Sequence, residues 1–188
     1  MNTYEKLREI LDAHPSTAPK AESIDQILRI LFTPEEADIA IHMNFKPKKG
    51  AAIAKLVGLD ECIVRDNLES MANKGIIFSR RKDGDVSYGL VPLIPGVFDF
   101  PFMKGGGTPM HDRLGQLWEE YHHESLGASF AGNPTPLMRV VPVEKSITAQ
   151  NRIHPYEEVK NFIHNANFIA LAGCATRQGS MKCSSANA

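Results

Sequence analysis

Apolar residues recur at helical spacing through the first third of the chain. Tyr4, Leu7, Ile10 and Leu11 predict a first helix, and His14-Pro15-Ser16-Thr17-Ala18-Pro19 reads as a linker by composition. Ile24, Ile27, Leu28 and Leu31 lie on one face of a second helix. Thr33-Pro34-Glu35-Glu36 then combines an N-cap, a proline suited to the first helical position and the glutamate of a capping box, ahead of Ala37, Ile39, Ala40 and Ile41. Gly50 to Val57 predicts a short helix, and Gly58-Leu59-Asp60 a tight turn with Asp60 as the N-cap of the next helix. The helix from Glu61 buries Val64, Leu68 and Met71, and Gly75 stops it. Two strands are predicted next, Ile76–Ser79 and Val86–Leu90, joined through Asp83-Gly84, a strong hairpin signal. Helices, tight turn and hairpin in this order predict a winged helix-turn-helix over residues 23–90.

Beyond Leu90 the pattern changes. Val91 to Met103 is apolar but interrupted by Pro92, Pro95 and Pro101, which predicts an extended segment packed across a surface. Lys104-Gly105-Gly106-Gly107 reads as a flexible link. A helix is expected from about Thr108 to Ser129, burying Leu114, Leu117, Trp118 and Tyr121. Asn133-Pro134-Thr135-Pro136 predicts a loop, and Leu137 to Val143 a strand. A last helix is expected from about Pro155 with Tyr156, Val159, Phe162 and Ile163 inward, then a short buried strand over Phe168–Ala172. The expected organisation is α+β and mostly helical: an N-terminal helix and linker (1–22), the winged helix (23–90), a connector and helical region (91–172), and a cysteine-containing tail (173–188).

Composition narrows the class. A chain of 188 residues with 43% hydrophobic residues has enough apolar material for a real core, and no apolar run is long enough to span a bilayer. Met1–Leu7 lacks the charged start and apolar stretch of a signal peptide, so a cytoplasmic protein is expected. Three cysteines, an odd number, do not make a disulfide framework. The net charge is −1, but residues 45–82 carry nine cations against four acids. Such asymmetry suits a nucleic-acid surface and equally a docking face for an acidic partner.

Four groups of residues are candidates for chemistry. Arg80-Arg81-Lys82 lies where a wing would touch phosphates or a protein partner. The helix that would enter the major groove, however, bears Glu61, Asp66 and Glu69 against Arg65 alone, and the wing tip carries Asp83 and Asp85. Glu119/His122 and Glu120/His123 have the Glu-x-x-His spacing of di-iron bundles, with no second matching helix, so a solvated face is the simpler reading. Gly105-Gly106-Gly107-Thr108 precedes a helix but has neither the lysine nor the strand of a P-loop, and reads as a hinge. Cys174 and Cys183 stand nine positions apart, which fits no zinc-ribbon spacing; taken alone they read as free thiols, and Cys62 is expected half-buried. No nucleophile–base pair or paired-carboxylate site marks an autonomous enzyme.

Three stretches together resemble a family of ferredoxin-type 4Fe-4S iron–sulfur proteins with an N-terminal winged helix. They are Phe32-Thr33-Pro34-Glu35-Glu36-Ala37 with Met71-Ala72-Asn73-Lys74-Gly75-Ile76-Ile77-Phe78; the connector Tyr88 to Met103, similar to that family's L-x-P-x-x-P-G-x-F-E-x-Q-x-M; and Pro155-Tyr156-Glu157-Glu158-Val159 with Phe168-Ile169-Ala170 leading into Cys174-x-x-Arg177. The match covers most of the chain from about Ser23. In that family the last stretch reads Cys-x-Cys-Arg, followed by further cysteines and cluster repeats. Cys174 and Arg177 match, Thr176 stands in place of the second cysteine, and Cys183 matches the next. The resemblance implies intracellular electron transfer with a redox protein partner, Cys174 and Cys183 as metal ligands and Arg177 beside the cluster. With the repeats missing, it implies the front portion of such a protein or a degenerate copy, in which a 4Fe-4S cluster is incomplete or absent. The alternative expectation is a non-enzymatic winged-helix module that binds DNA and regulates transcription.

Overall fold

The computed structural model describes residues 2–103, 108–133 and 156–172. The chain divides into two compact units: residues 1–137 with 173–188, and residues 138–172.

The described part of the first unit is mostly helical with a small antiparallel sheet, an α+β arrangement. Helix α1 (Thr3–Asp12) starts where the Asn2 side chain accepts the Glu5 N–H at 2.8 Å. Helix α2 (Glu22–Leu31) buries Ile24, Ile27, Leu28 and Leu31, the stripe its sequence predicts. Helix α3 (Pro34–Ala40) carries the expected capping box: the Thr33 hydroxyl accepts the Glu36 N–H, and the Glu36 carboxylate accepts the Thr33 N–H at 2.9 Å. Strand β1 (Lys48–Lys49) runs directly into α4 (Gly50–Val57), which Gly58 ends with a φ of 75°. Asp60 accepts the Cys62 and Ile63 N–H groups and opens α5 (Glu61–Lys74), which buries Val64, Leu68 and Met71. Gly75 closes α5 at φ 77°, and a Cβ there would lie 2.9 Å from the Phe100 carbonyl carbon, so glycine is required by backbone angle and by space.

Strands β2 (Ile77–Lys82) and β3 (Asp85–Leu90) are longer than predicted, and reach the turn itself. Asp83 and Gly84 both have positive φ, 53° and 80°, as a tight hairpin turn of the primed type needs. The sheet order is β1-β3-β2. Strand β1 escaped prediction because two residues carry no readable periodicity.

Over Val91–Val97 the connector is packed as expected, but it forms a wide turn and is not an extended segment. The chain turns through a cis Ile94–Pro95 bond and Gly96, and Val91, Leu93 and Val97 are buried. The expectation of extended chain fails also at Phe100–Met103, which form a one-turn helix, α6; Pro101 is tolerated because the first turn of a helix has no N–H partner to lose. Helix α7 (Pro109–Tyr121) continues through a wider π-type turn (His122–Leu126) into α8 (Gly127–Gly132) with helical backbone angles across both joins. Leu114, Leu117, Trp118 and Tyr121 are buried as predicted, and Phe98 meets Trp118 edge-on at 5.1 Å.

The prolines and small residues of 14–19 read as a linker, yet this segment is packed. Ser16 and Ala18 are buried, Arg8 donates to the Ala18 carbonyl at 2.9 Å, and the Tyr121 hydroxyl donates to the Pro19 carbonyl at 2.8 Å. One hydrophobic cluster takes in Leu7, Ile27, Leu68, Leu93 and Trp118, so the changes of sequence character at residues 22 and 90 are not breaks in the core.

In the second unit, helix α9 (Tyr156–Asn165) forms where the sequence places it. Its apolar residues do not point inward: Val159, Phe162 and Ile163 are 39%, 60% and 52% exposed. The buried strand expected over Phe168–Ala172 is also absent; that segment is irregular, with Phe168 and Leu171 exposed. The strand expected over 137–143 and the links at 104–107 and 134–136 lie outside the described residues.

Candidate functional site

Strand alternation divides the hairpin into two faces. On one, Ile77, Ser79 and Arg81 lie across from Leu90, Tyr88 and Val86. On the other, Phe78, Arg80 and Lys82 lie across from Gly89, Ser87 and Asp85. The basic run therefore does not act as a triad. Arg81 turns back to α5 and makes a two-pronged ion pair with Glu69, at 2.7 and 3.0 Å. Arg80 and Lys82 stand exposed on the outer face, with Lys82 3.9 Å from Asp83.

Glu69 is the pivot between α5 and the hairpin. It also accepts a short hydrogen bond from the buried Tyr88 hydroxyl. That bond, aided by Arg81 and opposed by partial burial, holds the Glu69 carboxyl below its ordinary range. Burial and the adjacent Glu69 push the Tyr88 phenol up to about 12. Glu69, which in sequence is one of three acids opposing a polyanion, is thus committed inside the fold. Glu61 and Asp66 remain exposed on α5.

A second tie joins α5 to α3. Glu36 is 2% exposed and accepts from Lys74 Nζ at 2.6 Å, Ser70 Oγ at 2.8 Å and the Thr33 N–H at 2.9 Å. Burial alone would raise its pKa; the Lys74, Thr33 and Ser70 bonds outweigh burial and lower it. Lys74 also donates to the Leu31 carbonyl at 3.2 Å. Sequence reading found the capping half of this cluster but not Ser70 or Lys74, whose distance along the chain hides them. Near it lies a small concavity of about 250 Å³, walled by Ile30, Leu31, Lys74, Pro101, Met110 and His111.

Cys62 is exposed on the first turn of α5, not half-buried; the buried side of that helix belongs to Val64, Leu68 and Met71. Cys174, Arg177 and Cys183 lie outside the described residues, as do Gly105–Gly107. Among the described residues no three His, Cys, Asp or Glu side chains converge as a metal site. His122 and His123 meet ring to ring at 5.6 Å, Glu120 sits 3.7 Å from Arg113, and Glu124 reaches back to accept from Ser23 Oγ at 2.6 Å and its N–H at 3.3 Å. Glu124 thereby serves the first turn of α2, whose N-cap residue Ala21 has no side-chain acceptor.

Among the described residues no helix is long and apolar enough to cross a membrane. The chain matches no protein-family model, no curated protein and no solved structure.

Proposed function

We propose that residues 23–90 form a winged helix-turn-helix acting as the docking scaffold of a ferredoxin-type iron–sulfur electron-transfer protein. The winged-helix reading is supported by the succession β1, α4, tight turn, α5 and hairpin, and by the antiparallel order β1-β3-β2. The iron–sulfur reading is supported by the resemblance of the connector and of Cys174 and Arg177, which makes Cys174 and Cys183 the ligands. The described residues do not themselves fit a cluster: they hold one cysteine, the exposed Cys62. The whole chain has three cysteines, one fewer than a cubane normally takes.

The observation favouring docking over groove reading is the Glu69–Arg81–Tyr88 tie. It pairs one wing arginine with a carboxylate, in competition with phosphate, and leaves Glu61 and Asp66 as exposed charges on the helix that would enter the groove. DNA binding and a role in transcription is the competing reading, favoured by the exposed Arg80 and Lys82 on one face of the hairpin. The two are separated by anaerobic purification with iron and sulfide assay alongside retention on duplex DNA. Bound iron with salt-insensitive, negligible DNA retention is expected. Iron-free protein whose DNA retention falls with salt, and falls again when Arg80 and Lys82 are neutralised, would replace this reading with the competing one.

A further inference from the structure

Among the described residues the sheet ends in an open edge at β2. Strand β2 pairs with β3 on one side, and among the described residues no strand lies on its other side. An edge strand presents a row of backbone donors and acceptors at strand spacing, a template for one more strand. Its outer face carries Phe78, Arg80 and Lys82 at alternate positions, Phe78 being 48% exposed. Arg80 sits across from Ser87, and on the far side of Ser87 stands Lys49, so two cations flank a small polar residue on one sheet face. Lys49 is held by Asp85 at 2.7 Å. Arg80 has no ion-pair partner among the described residues.

We propose that the β2 edge binds an extended acidic segment of a partner protein as a fourth strand. Its alternate side chains would lie beside Phe78, Arg80 and Lys82: one apolar, two carboxylates. The proposal rests on the docking reading and names the surface and the partner's chemistry. Charge selects this occupant over two others. A second copy of β2 would bring cation against cation along the edge, the arrangement by which natural edge strands resist self-pairing. A nucleic-acid duplex is far wider than a strand and would meet the exposed carboxylates Asp83 and Asp85 at the tip as well as the cations. A single strand added at about 4.8 Å from β2 meets the cationic side chains first.

The test uses the full chain, labelled with nitrogen-15, and two blocked seven-residue peptides with threonine at odd positions, one carrying valine, glutamate and glutamate at its second, fourth and sixth positions, the other valine, lysine and lysine. Amide shift changes centred on residues 77–82 are expected with the glutamate peptide, which should bind about tenfold more tightly than the lysine peptide at low salt. The R80E/K82E variant keeps Arg81 and its tie to Glu69, and should reverse that preference. Equal binding of both peptides, or an unreversed preference in the variant, would overturn the proposal. A 20-base-pair duplex perturbing the same amides more strongly than either peptide would overturn it in favour of nucleic acid. Iron content is read separately: peptide failure with iron bound refutes the edge alone, whereas iron failure with the peptide preference intact refutes the iron–sulfur reading alone.

Discussion

Removing the charge of Glu36 should weaken the fold more than any comparable change at the surface. In Glu36→Gln the amide still accepts from the Thr33 N–H, so the cap of α3 survives. What is lost is the negative partner of Lys74, 2.6 Å away, at a site where the glutamate is 2% exposed and the lysine about one-third exposed. Breaking a buried pair from one side costs about 3–5 kcal/mol. Lys74 has a route to solvent, which places the cost near the lower end, about 3 kcal/mol. For a chain of this size that is a fall in Tm of roughly 6–12 °C. Thermal and urea unfolding followed by circular dichroism reads it directly. The double variant E36Q/K74M removes the stranded cation as well and should regain part of the loss. The pH dependence has a definite sign. The folded-state pKa of Glu36 is lowered, so its stabilisation is full above the ordinary glutamate range and is lost as pH falls through the folded value. Wild type should therefore lose stability more steeply on acidification than E36Q, the two curves converging at low pH. A Tm for E36Q within about 1 °C of wild type at neutral pH would refute the assignment of Glu36 and Lys74 as a pair that holds α5 on α3.

The Tyr88 phenol, pushed up to about 12, should ionise later than an ordinary tyrosine in an ultraviolet titration, as should Tyr4 and Tyr121, which burial also raises, and Tyr88→Phe should remove one phenol from that late amplitude. Because the folded-state pKa is raised, the stability it contributes is present below the unfolded tyrosine value of about 10 and is lost between there and the folded value. Gly75→Ala should cost more than Gly58→Ala, by calorimetry. Both glycines have φ near +75°, at about 1 kcal/mol for the backbone, but only at Gly75 does the new methyl strike the Phe100 backbone. Equal losses would mean that α6 yields freely to α5. Glu124→Gln should weaken the start of α2 by about 1 kcal/mol in denaturant unfolding, since the Ser23 contacts lose the charge that complements the helix dipole.

Local signals were legible in the sequence wherever the physics is local. The Thr33 capping box, the tight turn at Gly58-Leu59-Asp60 with its Asp60 cap, the glycine stop at Gly75 and the Asp83-Gly84 turn each depend on a few adjacent residues, and each forms as read. The inward stripes of α2 and α7 were equally plain, because each has a neighbour to bury against. The misreadings lie where the outcome depends on distant chain. Residues 14–19 are a linker by composition but are held by Arg8, Asp12 and Tyr121. Val159, Phe162 and Ile163 have helical spacing but are exposed. Of the candidate site, the basic run was visible, but its division was not. Alternation sends Arg81 to one side, and only the position of Glu69 on α5 decides that an ion pair waits there. The thiol pair Cys174 and Cys183, identified through resemblance, lies outside the described residues.

The iron–sulfur reading is tested most directly by iron and acid-labile sulfide per chain after anaerobic reconstitution with ferrous iron, sulfide and a small thiol to complete the ligand set. The chain, C62S, and C174S/C183S should be measured side by side. Iron, sulfide and visible absorbance are expected in the unaltered chain and in C62S, and their loss in C174S/C183S. No retained iron in the unaltered chain, or the same iron in all three, would contradict it.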